Sequence, residues 1–319
     1  GILRIKDAPE RHLLSPAVVG VGDERPFFTE PYRDFSESEA RSNFASAIAA
    51  SVVPSVDPVT TVEAMTAIVD RAAQAFSNWR DTDPIVRSQV LVNAAAFMRT
   101  RRDDLCGVVM REAGKTWREA DGDVCESIDF CEYYARMAPE LFERERLGSF
   151  IGEDDQQFYQ PRGVTAVISP WNFPMAICCG MTVAALVTGN TVLVKPAGQT
   201  VGIGRLICEM LWEAGAPKDV LQFVAGPGSI VGSALVRDPR VAIIAFTGSK
   251  AVGLNILEAA GNIPEEQPFV KKIVCEMGGK NAIIVDASAD LDEAVLGVRQ
   301  SAFGYQGQKC SACSRVIVV

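Results

Sequence analysis

The chain has one histidine, His12, among its 319 residues, and it lies in a polar stretch near the beginning. Imidazole is the general base of Ser-His-Asp and Cys-His devices and a common zinc ligand. Because His12 is distant in sequence from every motif described below, catalysis that depends on histidine is disfavoured. We also expect no metal site.

Long apolar runs are missing as well. A membrane-spanning helix needs about 18 or more consecutive apolar residues, whereas the most apolar stretch here, Met175 to Val187, is shorter and contains Gly180 and Thr182. The first ten residues, GILRIKDAPE, lack the apolar centre of a secretory signal. We therefore predict no membrane span.

Positive charge is scarce: 31 Lys and Arg stand against 40 Asp and Glu, a net charge of −9. A nucleic-acid binder needs a basic surface to displace counterions from phosphates, so no nucleic-acid partner is expected. A small anionic ligand held by a few lysines stays open. The nine cysteines are odd in number and scattered through predicted helices and strands, which indicates a reducing, cytoplasmic compartment.

The first half of the chain reads as helical. Residues 1–60 mix charged and proline-containing pieces with one short helical pattern, and we interpret them as an N-terminal arm or linker. Beyond them, apolar residues recur at helical spacing, which predicts a layer of helices. These helices are expected to begin near Thr61, Pro84, Asp103 and Thr116.

A different pattern starts near residue 160, where short β-branched segments alternate with helical ones. The predicted strands lie within residues 163–170, 190–197, 219–226, 241–249, 270–277 and 281–287. Such alternation implies right-handed crossovers, and hence an α/β fold with a doubly wound, Rossmann-like parallel sheet. Ligands of such sheets bind at the carboxyl ends of the strands, so the loops that follow the strands are the places to search.

Three of these loops suit a phosphate or a ribose, each with a plainer alternative. Gly226, Gly228 and Gly232 are spaced one residue off the dinucleotide fingerprint, so a phosphate site and a simple strand-to-helix turn are equally open. Ser249 follows a glycine and precedes a helix, where it is either a phosphate contact or a cap. Lys195 ends a strand and is either a solvated charge or a ribose contact.

Two further loop residues have a possible catalytic reading. Asn172 lies in a proline-bounded turn, where its amide either satisfies the turn backbone or stabilises a developing oxyanion. Glu276 follows a strand and precedes the pair Gly278-Gly279, and it is either a surface carboxylate or a general base.

The last 19 residues, SAFGYQGQKCSACSRVIVV, place Cys310 and Cys313 in a turn between a helical pattern and an apolar, β-branched run. A thiol in such a turn can face a cleft and act as a nucleophile without a histidine partner. The spacing of the two cysteines also fits a dithiol redox motif. Such a motif normally opens the helix after an early strand of a small fold, whereas this one closes a long β-α series.

Together these loops resemble the aldehyde dehydrogenase superfamily. The resemblance covers Thr61 to Val319 and depends on six segments in the order that the family has them, PWNFP, LVKPA, GPGSIVG, FTGSKAVG, CEMGGKN and GQKCSACSR. The last of them, together with residues 111–135, is similar to the 1-pyrroline-5-carboxylate (glutamate semialdehyde) dehydrogenase branch, which includes the dehydrogenase half of bifunctional proline-utilisation proteins. On this resemblance we assign residues 61–275 to the helical layer plus the NAD(P)-binding domain, and residues 276–319 to the beginning of a catalytic domain.

The resemblance implies a role for each matching residue. Cys310 matches the nucleophile, Glu276 the base that activates water, and Asn172 an oxyanion donor beside the Cys310 backbone N–H. Cys313 takes a position that many members fill with glycine and is expected to be structural. The implied cofactor contacts are Trp171, Lys195, Gly228, Gly232, Gly248 and Ser249. The implied substrate contacts are Lys309, Ser311, Glu126 and Phe173.

The implied activity is oxidation of L-glutamate γ-semialdehyde to glutamate in proline catabolism, with NAD as cofactor. NADP is possible because Gly198 stands where the family often has an acidic residue. The chain ends at Val319 within an apolar strand pattern, so we expect a fragment that binds nucleotide weakly and turns over poorly. A homo-oligomer at full length and a fusion to proline dehydrogenase are further expectations. The alternatives are another aldehyde substrate, an inactive nucleotide-binding relative, and the dithiol redox protein.

Overall fold

The computed structural model describes residues 27–59 and 61–319. Residues 1–26 of the predicted arm, with His12, lie outside the described residues. The helices of the first half are α1 (Ser38–Ala50), α2 (Val62–Arg80), α3 (Pro84–Thr100), α4 (Arg102–Ala113) and α5 (Trp117–Leu141). The four helices predicted after residue 60 are confirmed.

The helix starts follow from their capping residues. The hydroxyl of Thr61 accepts a hydrogen bond from the backbone N–H of Ala64 at the start of α2. At the start of α3, the carboxylate of Asp83 accepts from Ile85, and Pro84 occupies the first turn, where its missing N–H costs nothing. A pair of two-residue antiparallel strands follows α5, β1 (Glu145–Arg146) and β2 (Gln156–Gln157). These strands were not predicted, because they are polar, exposed and too short to show alternation.

The predicted parallel sheet is confirmed for five of the six predicted strands, whereas the sixth, within residues 281–287, pairs outside this sheet. Along the chain its elements are β3 (Val164–Ile168), α6 (Ala176–Val187), β4 (Thr191–Lys195), α7 (Val201–Glu213), β5 (Leu221–Phe223), α8 (Ser233–Arg237), β6 (Val241–Thr247), α9 (Lys250–Gly261) and β7 (Lys272–Glu276). The strand order is β5-β4-β3-β6-β7, and every pair is parallel. After β3, the chain adds β4 and β5 on one side of β3 and then β6 and β7 on the other. The carboxyl end of β3 therefore lies at the switch point where such sheets bind ligands.

The centre of the sheet is buried on both faces, which explains why β3 and β4 are predominantly apolar, whereas the edge strand β7 is partly exposed. Successive residues of β3 point to opposite faces, so Val167 packs into one core while Ala166 and Ile168 pack into the other. The first core includes residues of α3 to α7, and the second includes residues of α2, α8 and α9. The predicted helical layer is thus divided, since α2 covers the face of the sheet opposite to α3, α4 and α5.

The last elements form a separate unit. Strand β8 (Asn281–Val285), helix α10 (Leu291–Phe303) and strand β9 (Cys313–Val318) make a βαβ crossover in which β8 pairs with β9 in parallel. Helix α10 has no buried residue, and Leu291, Val295 and Leu296 are exposed. Within residues 27–59 and 61–319, no helix has the length and apolar content that crossing a membrane requires.

Candidate active site

The cysteine turn follows a strained bend. After α10 the backbone passes through Tyr305 and Gln306 with φ of 50° and 54°, values that cost non-glycine residues about 1–3 kcal/mol each. Contacts of the tyrosine hold the bend: its hydroxyl donates to the carbonyl of Ala113, and its ring meets Trp171 edge-on at 6.2 Å. The turn before the cysteines is therefore fixed to α4 and to the loop after β3.

The two cysteines of the turn have different environments. Cys310 is exposed, whereas Cys313 is the first residue of β9 and only 7% exposed. The thiol of Cys313 donates to the carbonyl of Arg315 at 3.0 Å, and its N–H donates to the hydroxyl of Ser301. Cys310 is thus the accessible thiol, and Cys313 is part of the structure behind it.

The loop after β7 supports the Cys310 turn from below. The side chain of Asn281 donates to the carbonyl of Cys310 at 2.7 Å, and a Cβ at Gly279 would collide with the same carbonyl. Glu276 ends β7 with an exposed side chain, and its carbonyl accepts from the N–H of Gly248 at 3.0 Å. Because Gly279 has no β-carbon, the loop that follows Glu276 can lie directly against the backbone of Cys310.

Asn172 reaches the same turn from the loop after β3. Its amide nitrogen donates to the backbone carbonyl of Gln308 at 2.8 Å. A primary amide carries two N–H donors, so this bond uses one of them and leaves the other for a ligand. Strands β3 and β7 thus each deliver a loop to the cysteine turn, at the carboxyl edge of the sheet.

Two ammonium groups lie against the ring of Phe173. The Nζ of Lys115 is 3.8 Å from the ring centroid and that of Lys309 is 5.7 Å from it. Cation–π contacts of this kind contribute about 0.5–2 kcal/mol each, the larger values where water is excluded. Phe173, next to Asn172, is therefore fixed in place by charge as well as by packing.

A buried ion pair supports this loop. The Nζ of Lys115 and the carboxylate of Asp123 are 3.2 Å apart, and neither side chain is exposed. Asp123 also accepts from the N–H groups of Met175 and Ala176, where α6 begins. Burial lowers the pKa of Lys115 and raises that of Asp123, each opposed by the partner's charge. Asp123 therefore ties α5 to the loop that carries Asn172.

Sequence reasoning missed Lys115, Asp123 and Glu119, although a signal existed. Glu119, Asp123 and Glu126 are spaced i, i+4, i+7 and lie on one side of the predicted helix. Glu119 binds Lys309, and Asp123 binds Lys115. Three carboxylates in one stripe on an otherwise well-packed helix are costly unless they have partners.

The remaining predicted substrate residues lie on the open side of the site. Ser311 and Glu126 are exposed. Desolvation by packed neighbours raises the pKa of the Glu126 carboxyl, and the negative charge of Asp123 raises it further, while Lys115 and Lys309 act in the opposite direction.

A second cleft, of about 1160 Å³, lies along the carboxyl ends of β3 and β4, and its lining includes Lys195, Gly228, Ser229 and Gly232. Lys195 is 6% exposed, and burial lowers the pKa of its ammonium, which donates to the carbonyl of Pro196. A Cβ at Gly228 would meet no atom within 4 Å, so the backbone there is open to a ligand. The cleft is large enough for a nucleotide, and Lys195 brings an ammonium group to its lining.

Three predicted cofactor contacts lie outside the lining of this cleft. Ser249 caps α9, since its hydroxyl accepts from the N–H of Val252 at 3.4 Å. Gly248 packs against the ring of Phe246, where a Cβ would come within 2.7 Å. Trp171 packs on Tyr305. The plain interpretation of Ser249 as a cap thus has a structural basis, while its role as a phosphate contact stays a prediction.

The fold and the site together define a class, a parallel α/β protein with a nucleotide-sized cleft and an accessible thiol at the carboxyl edge of the sheet. Residues 37–319 match the aldehyde dehydrogenase family. The chain belongs to that family.

Relatives of known name are similar over most of the chain. A 1-pyrroline-5-carboxylate dehydrogenase of Geobacillus thermodenitrificans is 50% identical over 248 residues, which are 78% of this chain and 48% of the relative. One of Bacillus pumilus is 40% identical, covering 92% of this chain and 63% of the relative. The chain therefore spans about half to two thirds of the length of these relatives.

Solved structures of proteins with similar names have the same fold over most of this chain. The Thermus 1-pyrroline-5-carboxylate dehydrogenase with bound NAD is 39% identical, with a TM-score of 0.88 over 93% of this chain and 64% of that one. Proline utilization A from Bdellovibrio bacteriovorus is 40% identical, with a TM-score of 0.87 over 92% of this chain and 34% of that one.

Proposed function

We propose that this chain carries the nucleophile and the NAD-binding part of an enzyme that oxidises L-glutamate γ-semialdehyde to glutamate. The observation that carries the proposal is the position of Cys310, an exposed thiol held between the loop of Asn172 and the loop of Glu276. The names of the relatives supply the substrate.

The chemistry follows from the aldehyde. An aldehyde carbon has no leaving group, so a nucleophile must first add to it before hydride can depart. The Cys310 thiol gives its proton to solvent, and the resulting thiolate forms a C–S bond while the carbonyl π electrons move to oxygen, giving a tetrahedral adduct. Collapse of the adduct re-forms the C=O bond, expels hydride with its electron pair and leaves a thioester on Cys310.

The thioester is then hydrolysed. Glu276 takes a proton from water, whose oxygen bonds to the acyl carbon, and the C–S bond breaks to release the carboxylic acid and the thiolate. No step requires imidazole. The second N–H of Asn172 and the backbone N–H of Cys310 stabilise the negative oxygen of each tetrahedral adduct.

The substrate carboxylate is assigned to the opening beside the nucleophile. Lys309 and Ser311 flank Cys310, and Phe173 and Glu126 complete the pocket on the side of α5. An ammonium and a hydroxyl suit an anionic group. The ring of Phe173 suits the methylene chain of the substrate.

The residues of the cleft fit NAD. Lys195 suits a ribose, and Gly228 and Ser229 present open backbone at the start of a helical turn. When bound, the nicotinamide supplies the acceptor for the hydride. NADP is an acceptable alternative, since a Cβ at Gly198 would meet open space where the family often has a carboxylate that repels a 2′-phosphate.

A chimera tests the proposal. Residues 1–319 are joined to the C-terminal part of the Geobacillus thermodenitrificans relative, and formation of reduced nicotinamide is followed with glutamate γ-semialdehyde and with uncharged aldehydes. We expect turnover with NAD and a preference for the semialdehyde. Turnover that favours uncharged aldehydes contradicts the substrate, and nucleotide binding without hydride transfer to any aldehyde contradicts the activity.

Three properties of the whole protein are part of the same proposal. The nine unpaired thiols suit a reducing, cytoplasmic compartment. The similarity to proline utilization A supports a fusion to proline dehydrogenase. Homo-oligomerisation stays a prediction that size measurement of the full-length protein tests.

A further inference from the structure

The ammonium of Lys309, the residue before the nucleophile, already has a partner. Both carboxylate oxygens of Glu119 lie close to its Nζ, at 2.7 and 2.9 Å, and the two side chains are 18% and 13% exposed for Lys309 and Glu119. Glu119 is 190 positions earlier in the chain, in the first turn of α5. The ion pair therefore joins the helical layer directly to the nucleophile turn.

The pair has little room to rearrange. A Cβ at Gly304 would lie 3.2 Å from Glu119 Oε1 and 3.4 Å from Lys309 Nζ, so the backbone at the end of α10 packs against both groups. The ring of Phe173 lies on another side of the ammonium. A bidentate contact, partly buried and walled on two sides, is more restrictive than a surface ion pair.

Of the three carboxylates on this side of α5, Glu119 is the one that pairs with Lys309. Asp123, one turn further along α5, forms an ion pair with Lys115 and accepts a hydrogen bond from the first turn of α6. Glu126 is exposed on the open side of the pocket. Among the described residues of the carboxylate stripe, Glu119 is therefore the one that compensates the charge beside the thiol.

We infer that Glu119 is a positioning residue, which holds the Lys309 ammonium in place and sets how much positive charge the Cys310 site offers to an anionic group. The inference rests on the proposed function, in which that group is the substrate carboxylate. With Glu119 ionised, its negative charge offsets part of the attraction that Lys309 exerts on an anion. Loss of the Glu119 charge strengthens the attraction, and loss of its oxygens releases the ammonium.

The test uses two thiol reagents of nearly equal shape, iodoacetate and iodoacetamide, on the 319-residue chain. Alkylation of Cys310 is followed by peptide mass spectrometry, and the ratio of the two rate constants reports the charge near the thiol independently of thiol accessibility. In Glu119→Gln, which keeps an oxygen acceptor, we expect the ratio of iodoacetate to iodoacetamide to rise roughly three- to tenfold, as removal of one charge at this range predicts. Lys309→Met should lower the ratio.

Matched variants separate charge and position from general damage. Glu119→Asp should restore the ratio at least in part, and Glu140→Gln, an exposed carboxylate on the same helix, should leave it unchanged. Added salt should weaken the effect of Glu119→Gln. An unchanged ratio in Glu119→Gln, or an equal rise in Glu140→Gln, overturns the inference. Since alkylation needs neither turnover nor cofactor, failure here is distinct from failure of the chimera to oxidise semialdehyde.

Discussion

Gly279 packs against the backbone carbonyl of Cys310 so closely that any β-carbon at that position would collide with the carbonyl oxygen. This approach places the Cys310 turn directly against the loop that follows Glu276. The same carbonyl accepts a hydrogen bond from Asn281. The position of Cys310 thus depends on a glycine, a residue without a side chain, 31 positions earlier in the chain.

Replacement of Gly279 by alanine should displace the turn. Because a shift of about 1 Å in a reacting group costs on the order of a hundredfold in rate, we expect a loss of that size in the chimera. Gly278→Ala is the control, since its Cβ would meet no atom within 4 Å. Equal activity of the two variants contradicts the assigned contact.

Substitution of Cys310 and of Cys313 should have different effects on activity. Cys310→Ser removes the exposed thiol and should abolish aldehyde oxidation, whereas Cys313→Ser changes a buried residue of β9 and should retain most of it. The same variants test the dithiol reading, in which either substitution destroys disulfide exchange. Reduced-nicotinamide formation and a disulfide-reduction assay, run on one set of proteins, distinguish the two.

Lys115 should be needed for stability. Lys115→Met leaves the Asp123 carboxylate buried without its cation, which typically costs about 3–5 kcal/mol. The double variant Lys115→Met/Asp123→Asn removes both charges and should be less destabilised than the sum of the single changes. Urea unfolding of the four proteins gives the coupling free energy, and simple additivity would show that the two groups do not interact.

Asp129 should give the chain a pH-dependent stability. Its pKa is raised from 3.8 to about 6, first by burial, and it accepts a hydrogen bond from the N–H of Glu30. A raised pKa means that the folded state holds the proton more tightly. The contribution of Asp129 is therefore present below pH 3.8 and is lost as the pH rises to about 6.

The comparison of wild type with Asp129→Asn by urea unfolding across this window measures that loss. The stability of wild type relative to the variant should fall with rising pH and level off above about 6. Asp286→Asn should give the opposite slope, and only below about pH 3.8, because a hydrogen bond from Ser288 lowers the pKa of the exposed Asp286 carboxyl from 3.8. A flat difference for Asp129→Asn rejects the assignment.

Nucleotide selectivity should respond to Gly198. Gly198→Glu places a carboxylate in open space after the strand that ends at Lys195. We expect weaker NADP binding with little change for NAD, since a 2′-phosphate is repelled by a nearby negative charge. Gly198→Gln, of equal size but neutral, should not discriminate. Titration calorimetry with both nucleotides measures the difference.

The sequence by itself determined the centre of the sheet, because parallel strands buried on both faces are predominantly apolar, as β3 and β4 are. Capping residues such as Thr61 and Asp83 likewise marked helix starts through local hydrogen bonds. Strand-end motifs placed Asn172 and Glu276 at one edge of the sheet, whereas contacts of Asn172 and Gly279 with the cysteine turn bring Cys310 there. Their catalytic roles stay predictions.

Only the tertiary structure decided which residues contact those loops and hold them in place. The partners of Lys115 and Lys309 lie on α5, and a carboxylate stripe in a sequence does not say which cations, distant along the chain, it will meet. The same holds for Tyr305, whose positive φ is tolerated because Ala113 and Trp171 restrain it. Local propensity fixes elements, whereas burial of charge and strain is settled only where separate parts of the chain come together.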